Sequence, residues 1–300
     1  MWQMTATIGG GASAMRTVEV VYRYERQAAA GRPRPADAAA ARRRLDDGNR
    51  AFATLLEGLA EGSGTARGII PVDAEHLGLL PGGPATPQQQ PFAAILGCAD
   101  ARVPVELVFS EGPNDLFVVR VAGNVLGSEV LGSLRYAIEH LGGSLKIIAV
   151  LGHSGCGAMS AAVDVFLLPR RYLPLATDHA LRSVVDRMLV GVQGSAKRLA
   201  ETLGPGVVER PGYRAALIEC AIAVNAAFAA YTLQHEVDRA GHGGLQVAYG
   251  VYLLDTHQVW APRPGAADAL GLSEPPRDEA AFFDLSTAII QSGRIAAILR

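Results

Sequence analysis

The chain has 300 residues, of which 49% are apolar and 19% charged, and its formal net charge is −2. This length and composition allow one large domain, or two small ones, with a well-buried core. The near-zero charge offers no electrostatic support for binding nucleic acid. The start of the sequence lacks the pattern of a secretory signal, and no apolar stretch is expected to cross a membrane. We therefore predict a cytoplasmic protein without nucleic-acid or membrane partners.

Cysteine use argues against a secreted disulfide scaffold, which would need more cysteines, an even number of them and a shorter chain. The chain has three, Cys98, Cys156 and Cys220. They are better interpreted as metal ligands or inert core thiols. Cys220 lies in the middle of an apolar helical stretch and is predicted to be a buried structural thiol.

Residues 1–35 are predicted to form a loosely ordered extension, because glycine and proline clusters interrupt the segment. Within it, Val18–Tyr24 is a candidate for a short edge strand. Asp37 is placed to cap a helical arm over residues 36–59, whose apolar residues recur at helical spacing. Gly48 lies inside this helix and weakens it by roughly 1 kcal/mol relative to alanine.

The middle of the chain has the pattern of an α/β fold. Residues 62–90 are rich in Gly, Pro and Gln and are predicted to be a connecting segment. Three apolar runs follow, Phe92–Gly97, Asp115–Arg120 and Leu145–Gly152, and such runs are typical of strands buried on both faces of a parallel sheet. A helical segment, Ser128–Leu141, separates the second run from the third. We expect a mostly parallel central β-sheet flanked by helices, with an N-terminal helical arm.

The second half of the chain is predicted to complete this domain. An apparent insertion at 166–180 follows a helix after Cys156. The remaining predicted elements are helices over about 179–203 and 212–240, a hairpin-like pair at Leu245–Leu254 and His257–Trp260, and an amphipathic stretch at Ala280–Leu299. Residues 36–262 are interpreted as a single domain, and residues 263–300 as a C-terminal extension.

Candidate metal ligands follow two of the predicted strands. Cys98 comes directly after the first apolar run, and His153 and Cys156 come directly after the third. Side chains beyond the carboxyl ends of parallel strands meet at one edge of the sheet, where ligands bind. Two thiolates and one imidazole suit zinc, and three protein ligands leave a fourth position for water or substrate, as in a catalytic site.

Other interpretations of these residues remain open at this point. A His-x-x-Cys pair alone is a weak motif, and a buried cysteine is usually a small apolar residue. Asp100 and Arg102 could be a surface ion pair of small energetic value. The glycine-rich loops could cradle a phosphate, although neither common nucleotide-binding glycine motif is present.

Three blocks of sequence, taken together, resemble the β-class carbonic anhydrases. These are CADARVP from Cys98, LFVVRVAGN ending at Asn124, and LGHSGCG ending at Gly157. The resemblance implies that Cys98, His153 and Cys156 bind one zinc ion per chain, that Asp100 and Arg102 form the catalytic aspartate–arginine pair, and that Gln89, Phe117 and Tyr136 line the substrate pocket. Ile95 stands where some family members have a tryptophan, which argues against their form of bicarbonate inhibition here.

The resemblance also implies an activity: reversible hydration of carbon dioxide to bicarbonate and a proton, through zinc-bound hydroxide. Asp100 could instead bind zinc and close the site, and Arg102 is expected to hold it away from the metal. Alternative functions are hydrolysis of carbonyl sulfide or carbon disulfide, and a non-catalytic zinc protein. The family further implies a homodimer or homotetramer, in which the helical arm contacts the partner.

Overall fold

The computed structural model describes residues 17–26, 32–59, 64–81 and 86–300. The predicted extension over residues 1–35 lies partly outside these ranges. The strands are β1 (Thr17–Glu25), β2 (Thr65–Asp73), β3 (Ala93–Gly97), β4 (Leu116–Arg120), β5 (Ile147–His153), β6 (Gln246–Tyr252) and β7 (Val259–Trp260). The helices are α1 (Ala38–Glu57), α2 (Val105–Val108), α3 (Ser128–Leu141), α4 (Gly157–Leu167), α5 (Tyr172–Ala176), α6 (His179–Leu203), α7 (Tyr213–Arg239), α8 (Glu279–Gln291) and α9 (Gly293–Ile298).

A five-stranded sheet in the order β4-β3-β5-β6-β7 forms the centre of the fold. Neighbouring strands pair in parallel, except for the antiparallel pair β6–β7. Ala94 and Leu96 of β3 pack into one core cluster, whereas Ala93 and Ile95 pack into the other. This alternation explains the continuous apolar runs, because both faces of the sheet are covered. The predicted α/β fold, with helices flanking a mostly parallel sheet, is confirmed.

Helix α1 packs against its own chain. The Asp37 side chain accepts a hydrogen bond from the Ala40 N–H at 2.7 Å and so caps the helix. Leu45 and Phe52 are buried in the core cluster on one face of the sheet. Gly48 is required by this packing, since a Cβ placed there would lie 1.9 Å from the Phe109 carbonyl oxygen. The apolar side of the arm is therefore covered within one chain.

The prediction of a connecting segment over residues 62–90 was wrong at Thr65–Asp73, which forms β2. This strand pairs in parallel with β1 in a separate two-stranded sheet, and α1 is the connection between the two strands. Gly68 and Pro71 interrupt the pattern of β2, and both residues usually argue against a strand. The predicted edge strand at Val18–Tyr24 is confirmed within β1. Its partner is β2 and not the central sheet.

The C-terminal half of the chain is part of the main core. Helices α6 and α7 match the two predicted long helices. Helix α7 is long and apolar enough to cross a membrane, but 78% of its most apolar window is buried inside the protein, which is typical of a core helix. Leu285 and Ile289 of α8 and Ile295 of α9 belong to the same core cluster as α7. Residues 263–300 therefore contribute to the folded core.

Candidate metal centre

The sheet brings the three predicted ligands together. Gly97 pairs with Leu151, so Cys98 after β3 lies beside the carboxyl end of β5, where His153 is the last residue. Cys156 immediately precedes α4. The Sγ atoms of Cys98 and Cys156 are 4.0 Å apart. All three ligand atoms lie within 4.8 Å of one another, and all three residues are buried.

The donor atoms fit a zinc ion. Two thiolates that share a tetrahedral zinc at about 2.3 Å each are roughly 3.8 Å apart, close to the observed sulfur separation. The Nδ1 atom of His153 lies 3.0 Å from the Ser154 carbonyl oxygen, which can only accept a hydrogen bond. This contact assigns the proton to Nδ1 and leaves the lone pair on Nε2. That buried Nε2 has no hydrogen-bond partner among the described residues, as expected of a metal ligand.

The electrostatics favour a thiolate at Cys98. A hydrogen bond from the Cys156 thiol lowers the pKa of Cys98 most strongly, and backbone N–H groups lower it further against the opposing effect of burial. One of these groups is the N–H of Gly123, 3.3 Å from Sγ. The pKa of Cys156 is raised, because its neighbour Cys98 takes the negative charge first and because it is buried. A bound cation would be needed to deprotonate both thiols.

Asp100 lies beside the ligands and is held by Arg102. The Arg102 Nε and Nη2 atoms donate to the two Asp100 oxygens at 3.0 and 2.7 Å, and the Arg102 backbone N–H donates at 2.9 Å. These hydrogen bonds keep the pKa of Asp100 well below its usual range, so it remains a carboxylate at neutral pH. Asp100 Oδ2 is 3.8 Å from His153 Nε2. The carboxylate can therefore reach a group bound next to the metal ligands.

Two further groups hold the loops after β3 and β4, and neither was predicted from the sequence. Arg120, at the end of β4, donates to the backbone oxygens of Cys98, at 2.9 Å, and of Asp100. Asn225 of α7 donates to the Gly123 carbonyl oxygen at 3.0 Å. Gly123 has a φ of +65°, and a Cβ there would lie 2.6 Å from the Met188 sulfur. A buried asparagine within an apolar helix was the signal available in the sequence.

The predicted substrate residues lie away from this cluster within one chain. Phe117 and Tyr136 are neighbours, with ring centroids 6.5 Å apart. Phe117 pairs with Ala94 near the start of β4, three residues before the level of Gly97. At about 3.3 Å per residue, this places it roughly 10 Å from the carboxyl end of the strands. Tyr136 is 49% exposed, and Gln89 is exposed as well.

The family profile described as "Carbonic anhydrase" matches residues 93–256, more than half of the chain and all of the metal cluster. The chain belongs to the β-class carbonic anhydrase family. Within this family it is 44% identical over 107 residues to "Carbonic anhydrase 2" of Mycobacterium tuberculosis, covering 35% of this chain and 47% of that protein. It is 46% identical over 123 residues to the carbonic anhydrase of Mycolicibacterium smegmatis, covering 39% and 55%. The matched region thus spans about half the length of these relatives.

Solved structures of β-carbonic anhydrases are similar at lower identity. The enzyme from Coccomyxa, in complex with acetazolamide, is 21% identical with a TM-score of 0.47, covering 69% of this chain and 82% of that one. A tetrameric β-carbonic anhydrase from Sordaria macrospora is 20% identical with a TM-score of 0.42, covering 57% and 80%.

Proposed function

We propose that this protein catalyses the zinc-dependent, reversible hydration of carbon dioxide to bicarbonate and a proton. The observation that carries the proposal is a buried Cys98–His153–Cys156 cluster with the Asp100 carboxylate, clamped by Arg102, at its side. The three residues would hold one zinc ion per chain. When bound, zinc acts as a Lewis acid that makes water acidic enough to yield hydroxide near neutral pH, as is already established for carbonic anhydrases.

The residues around the cluster support this reaction. Asp100 remains a carboxylate and can only accept hydrogen bonds, so it can orient a water molecule with its oxygen lone pair toward carbon dioxide. Arg102 holds both Asp100 oxygens and would keep the carboxylate from binding the metal itself. His153 is held by the Ser154 carbonyl oxygen with Nε2 directed to the ligand cluster.

Gln89, Phe117 and Tyr136 are proposed to line the substrate pocket of a homodimer. The aromatic pair is too far from the metal ligands of its own chain to contact a substrate there, and β4 is the edge strand of the central sheet. A second copy of the chain could present this pair to the cluster. Assembly of such dimers into a tetramer, and location in the cytoplasm, remain predictions.

Metal content measured together with carbon dioxide hydration tests the proposal. We expect one zinc per chain and a hydration rate that rises with pH in stopped-flow assays. Cys156→Ser should reduce zinc affinity and activity by more than about a hundredfold, since even residues behind the ligands contribute 10–100-fold. Cys220→Ala, which changes a buried thiol outside the cluster, should keep both.

Zinc-loaded protein that does not hydrate carbon dioxide would refute the proposal. A parallel measurement of sulfide release from carbonyl sulfide and carbon disulfide would then show whether the same site serves another hydrolysis. Wild-type protein that binds no zinc would refute the metal site itself.

A further inference from the structure

The peptide group between Ser154 and Gly155 is hydrogen-bonded on both sides. Its carbonyl oxygen accepts from Nδ1 of His153 at 3.0 Å. Its N–H, which belongs to Gly155, donates to Oε1 of Glu219 at 2.9 Å. Gly155 has a φ of +62°, a conformation in which a side chain would be strained. One rigid peptide unit therefore connects a metal ligand to a carboxylate on a different element.

The carboxylate of Glu219 is buried and paired. Glu219 lies on α7, among apolar residues, and its side chain is only 9% exposed. Its second oxygen, Oε2, accepts from Nε of Arg294 on α9 at 2.8 Å. Arg294 also donates through Nη1 to Oδ2 of Asp255, in the loop after β6, at 2.9 Å. Both Glu219 oxygens are thus occupied, one by the ligand loop and one by the C-terminal helix.

We propose that Glu219 and Arg294 are positioning residues for His153, acting through the Ser154–Gly155 peptide. The inference rests on the proposed zinc site and extends it to the C-terminal segment. A charged acceptor strengthens the hydrogen bond from the Gly155 N–H, and it polarises the peptide so that its carbonyl accepts more strongly from His153. A stronger acceptor at Nδ1 fixes the imidazole and makes Nε2 a better metal donor.

A simple structural clamp would predict a different response to loss of charge. Glu219→Gln keeps the size of the side chain and an oxygen that can accept from Gly155, but it removes the negative charge. A structural clamp needs only the hydrogen bond from the Gly155 N–H to the side chain at position 219. Polarisation of the Ser154–Gly155 peptide also needs the negative charge of Glu219. The zinc affinity of this variant, compared with its thermal stability, therefore distinguishes the two roles.

Glu236→Gln is the matched control. Glu236 is also on α7, its side chain is 13% exposed, and it is paired with Arg135 of another helix, but it contacts no residue of the ligand loop. We expect Glu219→Gln to weaken zinc binding about tenfold in competition with a chromophoric chelator. Glu236→Gln should stay within about twofold of wild type. In cobalt-substituted protein, the thiolate-to-cobalt and ligand-field bands should shift in Glu219→Gln and not in Glu236→Gln.

Arg294 provides a second route if Glu219→Gln does not fold. Arg294→Gln should lower zinc affinity in the same direction by a smaller factor, and Arg294→Lys should restore part of it. Unchanged zinc affinity and unchanged cobalt spectra in Glu219→Gln, or in Arg294→Gln if the former is unfolded, would overturn the inference.

Failure of this inference is separable from failure of the proposed function. Zinc affinity is measured without carbon dioxide, so a zinc-binding wild type that lacks hydration activity refutes only the function. A wild type with full activity, beside a Glu219→Gln variant of equal zinc affinity, refutes only the positioning role.

Discussion

The ligand cluster lies at the carboxyl ends of the central strands, whereas the Phe117–Tyr136 pair joins β4 to helix α3, and the surroundings of the two differ. The ligands are at most 4% exposed and are fixed by strand register within one chain. Tyr136 is 49% exposed, and the pair lies toward the amino end of β4, the edge strand. One chain therefore brings the three candidate ligands together by itself. The proposed substrate pocket, in contrast, would take part of its lining from a second copy of the chain.

Arg102→Ala should give the largest loss of hydration activity among the variants that probe these two regions. It leaves the three buried ligands intact, so the loss should not come from loss of zinc. Without the bidentate clamp, Asp100 is free to turn toward the metal position. We expect hydration to fall about 10–100-fold while zinc content stays at the wild-type level. Arg50→Ala removes a comparable exposed pair, with Asp47 on α1, and should leave the rate unchanged. Full activity of Arg102→Ala would rule out this role for Arg102.

Tyr136→Ala should have a smaller effect, up to about tenfold in kcat/KM, because an aromatic contact contributes about 0.5–1.5 kcal/mol. Complementation of Tyr136→Ala with Cys156→Ser tests more directly whether Tyr136 acts in the site of the other chain. A mixed dimer would contain one site with intact ligands from one chain and Tyr136 from the other. Activity per Tyr136→Ala chain should therefore rise severalfold after the two variants are mixed and reassembled. No rise in verified mixed dimers would mean that Tyr136 does not act across a dimer.

Asp46→Asn gives the smallest effect and concerns stability on the arm side of the sheet. Burial is the largest influence on Asp46 and raises its pKa to about 6 in the folded protein. Between the ordinary carboxyl pKa and this value, the folded state binds more protons than the unfolded state. The free energy of unfolding therefore falls as pH rises from about 4 to 6, by about 1–2 kcal/mol after allowance for partial exposure.

Asparagine cannot ionise, and its side-chain oxygen can still accept the Leu272 N–H that Asp46 accepts at 2.8 Å. Denaturant unfolding at pH 4.5 and 7.5 should show Asp46→Asn gaining more stability relative to wild type at pH 7.5 than at pH 4.5. Equal differences at both pH values would contradict the raised pKa.

The sequence predicted the parts of this protein that depend on local pattern. Buried parallel strands appear as apolar runs, so β3, β4 and β5 were predictable, as was the meeting of Cys98, His153 and Cys156 beyond β3 and β5. The strand β2 was missed because Gly68 and Pro71 break its pattern, and its partner β1 is distant in sequence.

Contacts between distant elements were harder to predict. Glu219 and Arg294 are 75 residues apart, and nothing in the local pattern around either residue indicates the ligand loop. Arg120 likewise acts through its side chain, on the backbone of the loop that follows the neighbouring strand β3. Such residues have no motif, because their role is decided by three-dimensional packing. The only available signal was a charged residue placed where a helix is otherwise apolar.

The close approach at Gly48 has a mechanical consequence. Backbone meets backbone where α1 crosses Phe109, and the neighbouring Asn49 donates to the backbone oxygens of Val108, at 3.2 Å, and His257, at 3.0 Å. Asn49 also accepts from the Val259 N–H at 2.8 Å. A helix attached in this way has little freedom to rotate relative to the sheet, so we expect the arm to move with the sheet as one rigid unit. Any residue larger than glycine at position 48 would displace α1 from Phe109 and break the hydrogen bonds of Asn49 at the same time.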